Sequence, residues 1–600
     1  MRETTNPSLI SPDAVTSIPQ LVKQRLDRDP AGTFVERKSG LGTSWTPMSI
    51  QAFAEEAAAV AKGLVACGIE PGERVAIMSR TRYEWTLLDF AIWAAGAVPV
   101  PIYETSSADQ VEWILSDAQV RLAVVETVAH ATVVESVRTR VPGLGRVLVL
   151  EDGAIGRLVA EGARVDDAEI ARRSALATAD DLATIIYTSG TTGRPKGAEL
   201  THGNFTSLTQ EGALGLYDVC AAPGTRTLLF MPLAHVFARF IEVLCMTTGA
   251  VLGHTPDTRN LVADLGTFRP TFILSVPRVF EKLYNSAEQK AGAGAKLKLF
   301  RWAAKTAIVY SRALDTPAGP SAALKAQHAL ADRLVLHKVR QALGGHARYA
   351  ISGGAPLGER LGHFYRGVGV RVLEGYGLTE TTAPTAVNLP DRTTKIGTVG
   401  PAFPGSSLLI ADDGEIRVKG AHVFRGYHDN PAATAEAFED GWFRTGDLGT
   451  LDDDGYLTIT GRKKEIIVTA GGKNVAPALL EDRLRGHPLV SQVVVVGDGK
   501  PFIGALITLD ADLLPGWLAA HGLPEMDVRS AAQSHAVLAA LDRAVARANE
   551  AVSRAESIRK FRVLSTDFTV ENEYLTPSLK VRRDAVLRDF AAEVEAIYTS

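Results

Sequence analysis

Cysteine is nearly absent from this sequence: 600 residues hold three, Cys67, Cys220 and Cys245, far apart and without a C-x-x-C pair. That excludes a disulfide scaffold and a zinc ribbon, and it fits a reducing compartment. Long apolar runs are missing too. The most continuous, Phe90 to Tyr103, is too short to cross a bilayer and contains Pro99 and Pro101. Met1-Arg2-Glu3-Thr4-Thr5-Asn6 lacks the apolar stretch of a secretory signal. Neither sign of charge dominates: 64 Lys and Arg stand against 68 Asp and Glu, a net charge of −4, which argues against a general nucleic-acid footprint. No internal repeat or low-complexity tract is present. What remains is an ordinary globular composition, 46% hydrophobic and 22% charged, with enough chain for a large core. The expectation is a cytoplasmic protein.

What is present, from about residue 45, is alternation of helical and strand patterns. Ile50 to Val65 is Ala-rich with helical spacing, and Cys67-Gly68-Ile69 supplies a stop before the strand Arg74 to Met78. A helix over Tyr83 to Ala95, a strand over Val98 to Ile102, a helix over Ser107 to Ser116 and a strand over Leu122 to Val125 follow. Such alternation implies parallel sheets covered by helices, with ligands held beyond the carboxyl ends of the strands.

One stretch carries chemistry: Tyr187-Thr188-Ser189-Gly190-Thr191-Thr192-Gly193-Arg194-Pro195-Lys196-Gly197, just after the apolar run Leu182 to Ile186. Glycines bring backbone N–H groups close to phosphate oxygens, hydroxyls donate further bonds, and Lys196 supplies compact positive charge. A Walker loop, G-x-x-x-x-G-K-[ST], is excluded from Gly190 onward: Pro195 stands in place of its second glycine and Gly197 in place of its Ser/Thr. The plain alternative is a Gly/Thr turn between strands.

The stretch resembles the signature loop of the adenylate-forming superfamily: acyl-CoA synthetases, firefly-type luciferases and the adenylation domains of peptide synthetases. The resemblance extends over nearly the whole chain from about residue 30. It implies that Thr188, Ser189, Gly190, Thr191, Thr192, Gly193 and Lys196 hold the outer phosphates of ATP. It puts adenine against Gly353, Gly354 and Ala355 in Ser352-Gly353-Gly354-Ala355-Pro356. In Glu374-Gly375-Tyr376-Gly377-Leu378-Thr379-Glu380, it implies that Tyr376 stacks on the base, Thr379 bonds the α-phosphate and Glu380 holds Mg²⁺. Asp447 would take both ribose hydroxyls, Arg462 would reach the ribose, and Lys464 would be the hinge. Lys580, in Leu575-Thr576-Pro577-Ser578-Leu579-Lys580, would be the catalytic lysine, although the general pattern has Gly where this chain has Leu579. Gly471 and Gly472 would line the coenzyme A side. His235, in Met231 to Arg239, and Val276 and Pro277, in Ser275 to Lys282, resemble the acyl pocket of the long-chain fatty acyl-CoA synthetase branch. Read alone, His235 is equally a structural histidine, Asp447 a turn residue beside Gly446, and Lys580 a solvated surface charge.

The resemblance implies an α/β fold. Its large N-terminal domain, residues 1–460, would hold helix-covered, mostly parallel sheets plus a distorted barrel, and residues 461–600 would form a small mobile α+β domain. Here Glu465 to Val468, Val490 to Val496 and Ile503 to Leu509 read as strands, and Ala476 to Leu484 and Ala531 to Ser557 as helices. The implied activity is ATP-dependent ligation of long-chain fatty acids to coenzyme A through an acyl-adenylate. A fatty acyl-AMP ligase serving a carrier protein is the alternative within the fold, and a non-catalytic nucleotide- or acyl-binding protein the one outside it. Between Gln289 and Arg312, Lys290, Lys296, Lys298, Arg301, Lys305 and Arg312 alternate with apolar residues. That pattern reads as a solvated helix or as one resting on the inner, anionic membrane face.

Overall fold

The computed structural model describes residues 2–38, 43–188, 194–292, 294–576 and 579–599. The N-terminal alternation forms an all-parallel sheet ordered Val98–Ile102, Arg74–Met78, Val120–Val125, Arg146–Val149. Pro99 and Pro101 are tolerated because their strand is the sheet edge. The helix Ile50–Ala66 starts where the Ser49 side chain accepts the N–H of Ala52. The helix Ala108–Asp117 starts in a capping box, with Ser107 and Gln110 each satisfying the other's backbone N–H.

A second sheet pairs Phe272–Ser275, Tyr349–Ser352 and Arg371–Leu378 in parallel and adds Ala383–Val387 antiparallel. A third runs Arg226–Leu229, Val251–His254 and Thr33–Lys38 in parallel, then Trp45–Ser49 antiparallel. An antiparallel six-stranded sheet gathers Glu3–Thr5, Ser406–Ile410, Glu415–Gly420, Phe438–Glu439, Trp442–Leu451 and Leu457–Arg462. A separate sheet of Val490–Val496, Ile503–Leu509 and Ile558–Leu564 carries helices of its own. Buried apolar side chains follow this division: one core spans Ile18 to Leu457, and another spans Ile467 to Ile558.

Leu182–Thr188 pairs antiparallel with Lys196–Thr201. Ser189 to Gly193, between them in the chain, lie outside the described residues, as do Pro577 and Ser578. Three local expectations are corrected. The basic segment from Gln289 to Arg312 is split, because Pro277–Lys290 ends and Gly292 and Gly294 take positive φ before Ala295–Ala313 begins. The helical reading of Ala531 to Ser557 holds only over His535–Asn549; Asn549 then exchanges two side-chain bonds with the backbone of Ile558 at 2.9 Å and turns the chain into a strand. Glu465 belongs to the turn Lys463–Glu465, and only Ile467–Val468 is strand.

The helices Ile50–Ala66 and Ala154–Gly162 cross at two glycines. A Cβ on Gly63 would lie 2.2 Å from the carbonyl oxygen of Leu158, and one on Gly162 would lie 2.5 Å from the nitrogen of Gly63. Gly63→Ala must push the helices apart and should destabilise the protein by about 1–3 kcal/mol. Gly156, in the second helix, has open space where its Cβ would be, so Gly156→Ala should stabilise by about 0.5–1 kcal/mol. Denaturant unfolding of the two variants should therefore move in opposite directions.

Candidate active site

A cleft of about 730 Å³ opens between the N-terminal sheets and the C-terminal residues. Lys196, Arg444, Arg462, Lys463, Lys464 and Lys580 bring positive charge to its wall, against the carboxylates of Glu380, Glu415 and Glu436. This balance suits a polyanion. Part of its lining is apolar, formed by Ile114, Ile186, Leu216, Phe237 and Phe240.

Each wall has a local cause. The strand Arg371–Leu378 slips register between Tyr376 and Gly377, and a Cβ on Gly377 would lie 1.6 Å from the carbonyl oxygen of Ala383. Only glycine allows that approach, and the bulge aims the turn Thr379–Thr381 into the cleft. Thr382 and Ala383 both take positive φ to close the turn. Glu380 Oε1 accepts the Tyr427 hydroxyl at 2.9 Å, and the Tyr427 ring lies 5.0 Å from Lys196 Nζ. One aromatic residue thus joins the carboxylate to the cation at the start of the strand Lys196–Thr201. That start is anchored by Trp113, whose indole donates to Pro195 O at 2.8 Å.

Asp447 lies just behind the cleft wall. Its Oδ2 accepts the Tyr376 hydroxyl at 2.7 Å and its Oδ1 lies 2.8 Å from Arg462 Nε. Burial, reinforced by the Asp447 charge, drives the Tyr376 hydroxyl far above the usual tyrosine range. The strand bearing Asp447 is held by Glu415, which accepts the Gly446 N–H at 3.0 Å. Glu374 sits deeper; its Oε1 accepts the Leu357 N–H at 3.1 Å, and burial pushes its carboxyl up to about 7.

His235 caps the helix Val236–Thr248, accepting the Phe237 N–H on Nδ1 at 3.2 Å. Burial, then the charge of Lys580, pushes its imidazole down to about 4, so it is neutral at pH 7. Lys580 reaches the same cleft from the C-terminal residues. Enclosure, then the nearby Arg462, lowers its ammonium from the usual range, opposed by Asp447 and Glu380. Leu579, where the resemblance expects glycine, takes φ +62°.

The cleft therefore brings together Thr188, Lys196, His235, Gly353, Gly354, Gly375, Tyr376, Gly377, Thr379, Glu380, Arg462, Lys464 and Lys580. It does not bring in all the others. Ala355 and Glu374 are off the wall, Val276 and Pro277 stand behind Gly354, and Gly471 and Gly472 form an exposed turn away from it. Phe237, Phe240, Glu415 and Tyr427 line it and were not singled out from the sequence. Glu415 and Tyr427 each follow a glycine, a signal too common to stand out.

The wall fits an adenine nucleotide better than a resident metal. No group of three or more His, Cys, Asp or Glu among the described residues is placed to hold an ion. One carboxylate, Glu380, suits a Mg²⁺ that arrives on phosphates and keeps much of its water.

A carboxyl whose pKa is raised on folding makes the native state bind more protons than the unfolded chain between the two values. The Glu374 contribution to stability is therefore most favourable below about 4.5, falls as pH rises through about 7 and levels off about one unit above. Glu374→Gln removes that loss. Without nucleotide, its melting temperature should gain on the parent's steeply between pH 5 and 7, and the gap should level off beyond about pH 8.

Residues 23–428 match the AMP-binding enzyme family and residues 464–600 match the AMP-binding enzyme C-terminal domain. The chain is 50% identical to the long-chain-fatty-acid–CoA ligase FadD15 of Mycobacterium tuberculosis, over 100% of both chains. It is 30% identical to the human long-chain-fatty-acid–CoA ligase 1, covering 92% of this chain and 82% of that one. The crystal structure of ATP-bound MatB from Rhodopseudomonas palustris superposes with a TM-score of 0.69 at 25% identity, covering 95% of this chain and 99% of that one. Two matched segments, a relative alike from end to end and a shared fold lead to one conclusion: the chain is a member of the AMP-binding enzyme family.

Proposed function

We propose that the protein is a long-chain-fatty-acid–CoA ligase, converting ATP, a fatty acid and coenzyme A into acyl-CoA, AMP and diphosphate. The observation that carries this reading is 50% identity, end to end, to a ligase of that name. The cationic cleft with a partly apolar lining is consistent with it.

The large domain is residues 1–460 and the small one residues 461–600, hinged at Lys464. ATP lies with its base between Tyr376 and the Gly353–Ala355 segment and its ribose at Asp447, where the hydroxyls compete for the oxygens now bonded to Tyr376 and Arg462. The phosphates extend toward Lys196 and the glycine-rich stretch Thr188 to Gly193. Glu380 would hold a Mg²⁺ arriving with them, which would screen their charge. A fatty carboxylate, ionised at neutral pH, attacks the α-phosphorus; a new P–O bond forms as the bond to diphosphate breaks. Lys580 and Thr379 offset the charge that gathers on the two anions, and catalysis is chiefly positioning and charge stabilisation. The acyl chain lies along Phe237, Phe240, Leu216 and Ile114, with neutral His235 at its carboxyl end. The small domain then turns at Lys464, withdrawing Lys580 and presenting Gly471–Gly472. The thiol of coenzyme A, giving up its proton, attacks the acyl carbon and AMP leaves.

The protein works in the cytoplasm. No helix among the described residues is long and apolar enough to cross a membrane. We further propose that the helix Ala295–Ala313 rests on the inner membrane face. Its Leu297, Phe300, Ala304 and Ala307 are buried, while Lys298, Lys305 and Arg312, seven residues apart, form an exposed line beside Val309. Vesicles containing anionic lipid should sediment the protein, and Lys298→Glu with Lys305→Glu should abolish this; no sedimentation would leave a solvated helix.

Product analysis with ATP, Mg²⁺ and graded fatty acids should give acyl-CoA, AMP and diphosphate, best for chains of about twelve carbons or more, since each buried CH₂ contributes about 0.8 kcal/mol. Accumulating acyl-AMP that ignores coenzyme A would indicate carrier loading, and binding without turnover would indicate a non-catalytic protein. Lys580→Ala should cripple adenylation by about 100-fold or more and spare thioester formation from supplied acyl-AMP. Equal loss of both half-reactions would overturn its role.

A further inference from the structure

Arg278 belongs to the segment Ser275 to Lys282 but does not line the cleft. It points across to the C-terminal residues, where its Nη2 lies 2.9 Å from Asp510 Oδ2; Nη1 is 3.2 Å from Glu281 Oε2. The Arg278 and Asp510 side chains are only 17% and 7% exposed. Asp510 is fixed before Arg278 reaches it, because its Oδ1 accepts the N–H groups of Asp512 and Leu513, each at 3.1 Å. At the other end of the helix Pro277–Lys290, Gln289 Nε2 donates to Leu513 O at 3.3 Å. One turn is thus gripped at two points by one helix. The same helix begins against the cleft: Val276 lies 3.8 Å from where a Cβ on Gly354 would be.

We propose that the Arg278–Asp510 ion pair is the latch that holds the C-terminal domain in the arrangement where Lys580 faces the cleft. The inference rests on the two-step reading above. Asp510 and Lys580 lie in the same domain, so a rotation that withdraws Lys580 also carries Asp510 away from Arg278. The pair exists in one arrangement only, and an interaction made in one of two states biases the equilibrium toward it. Its enclosure makes the bias larger than a surface pair would give. Because the gripping helix starts at Val276, beside Gly354, whatever fills the cleft there bears on the element that holds the small domain. Arg278 and Asp510 are positioning residues: they touch no reactant and act by setting how often Lys580 is in place.

Half-reactions measured separately test this. Arg278→Gln keeps length without charge, and Asp510→Asn keeps the Oδ1 acceptor for its turn. Each should slow ATP–diphosphate exchange by roughly tenfold while thioester formation from supplied acyl-AMP is unchanged or faster. Arg278→Lys should recover part of the exchange rate, and the double variant should be no slower than either single one. Equal loss in both half-reactions, unchanged exchange, or losses that multiply in the double variant would overturn the latch. Lys580→Ala in the same assays separates the two ideas. If it divides the half-reactions and the Arg278 and Asp510 variants do not, only the latch fails; if it does not divide them, the two-step reading fails first.

Discussion

A single buried carboxylate, Asp447, ties together the parts that make the cleft. It is 3% exposed, and a charge so placed is tolerated only when its oxygens are occupied. Its two partners come from different sheets: Tyr376 from the strand Arg371–Leu378, and Arg462 from the strand Leu457–Arg462 beside its own. Separating the sheets would strand that charge, at a cost of about 3–5 kcal/mol. Arg462 also leads directly into the turn Lys463–Glu465, and its guanidinium lowers the Lys580 ammonium. The same carboxylate therefore sets the wall of the cleft, the start of the C-terminal residues and the field in which Lys580 sits.

Strain collects where the cleft is shaped. Thr382 and Ala383, without the freedom of glycine, take positive φ beside Glu380, and Leu579 does so beside Lys580. Each such residue costs about 1–3 kcal/mol and persists only when its surroundings dictate it. Leu579 is instructive because its side chain is 46% exposed and packs on little, so what is kept is the left-handed backbone. The chain holds the turn that a glycine would adopt freely, next to the lysine that lines the cleft.

Behind the apolar wall, the helix Val236–Thr248 is pinned by Arg239. Its guanidinium is wholly buried, paired with Asp89 and donating to Thr184 Oγ1 at 2.8 Å. Glu242, one turn on, is buried with it, and burial, reinforced by the Asp89 charge, pushes its carboxyl well above the usual range. This polar knot ties the helix to Leu182–Thr188 and Tyr83–Ala94, fixing the direction from which His235, Phe237 and Phe240 enter the cleft. The helix Val236–Thr248 thus gives the cleft a fixed wall. The helix Pro277–Lys290 connects the Gly354 segment to Asp510.

Periodicity was enough to read the parallel strands Arg74–Met78, Val98–Ile102 and Val120–Val125 and the helices between them, because that signal acts within a few residues of chain, whereas Lys196, Glu380, Asp447, Arg462 and Lys580 were pointed to by the resemblance of short motifs. Such local signals were not enough where distant chain segments decide. The helix Ala295–Ala313 packs on Glu359–Val368, a pairing that no local pattern shows. Tyr427 reaches the cleft from the strand Gly426–Tyr427, paired with Lys196–Thr201 far back in the chain, and Arg278 meets a residue 232 positions on. The sequence by itself determined the family, the kinds of element and the chemical character of the site. Tertiary structure alone decided which side chains share the cleft and which ion pair spans it, since those depend on long-range packing that leaves no periodic trace in the chain.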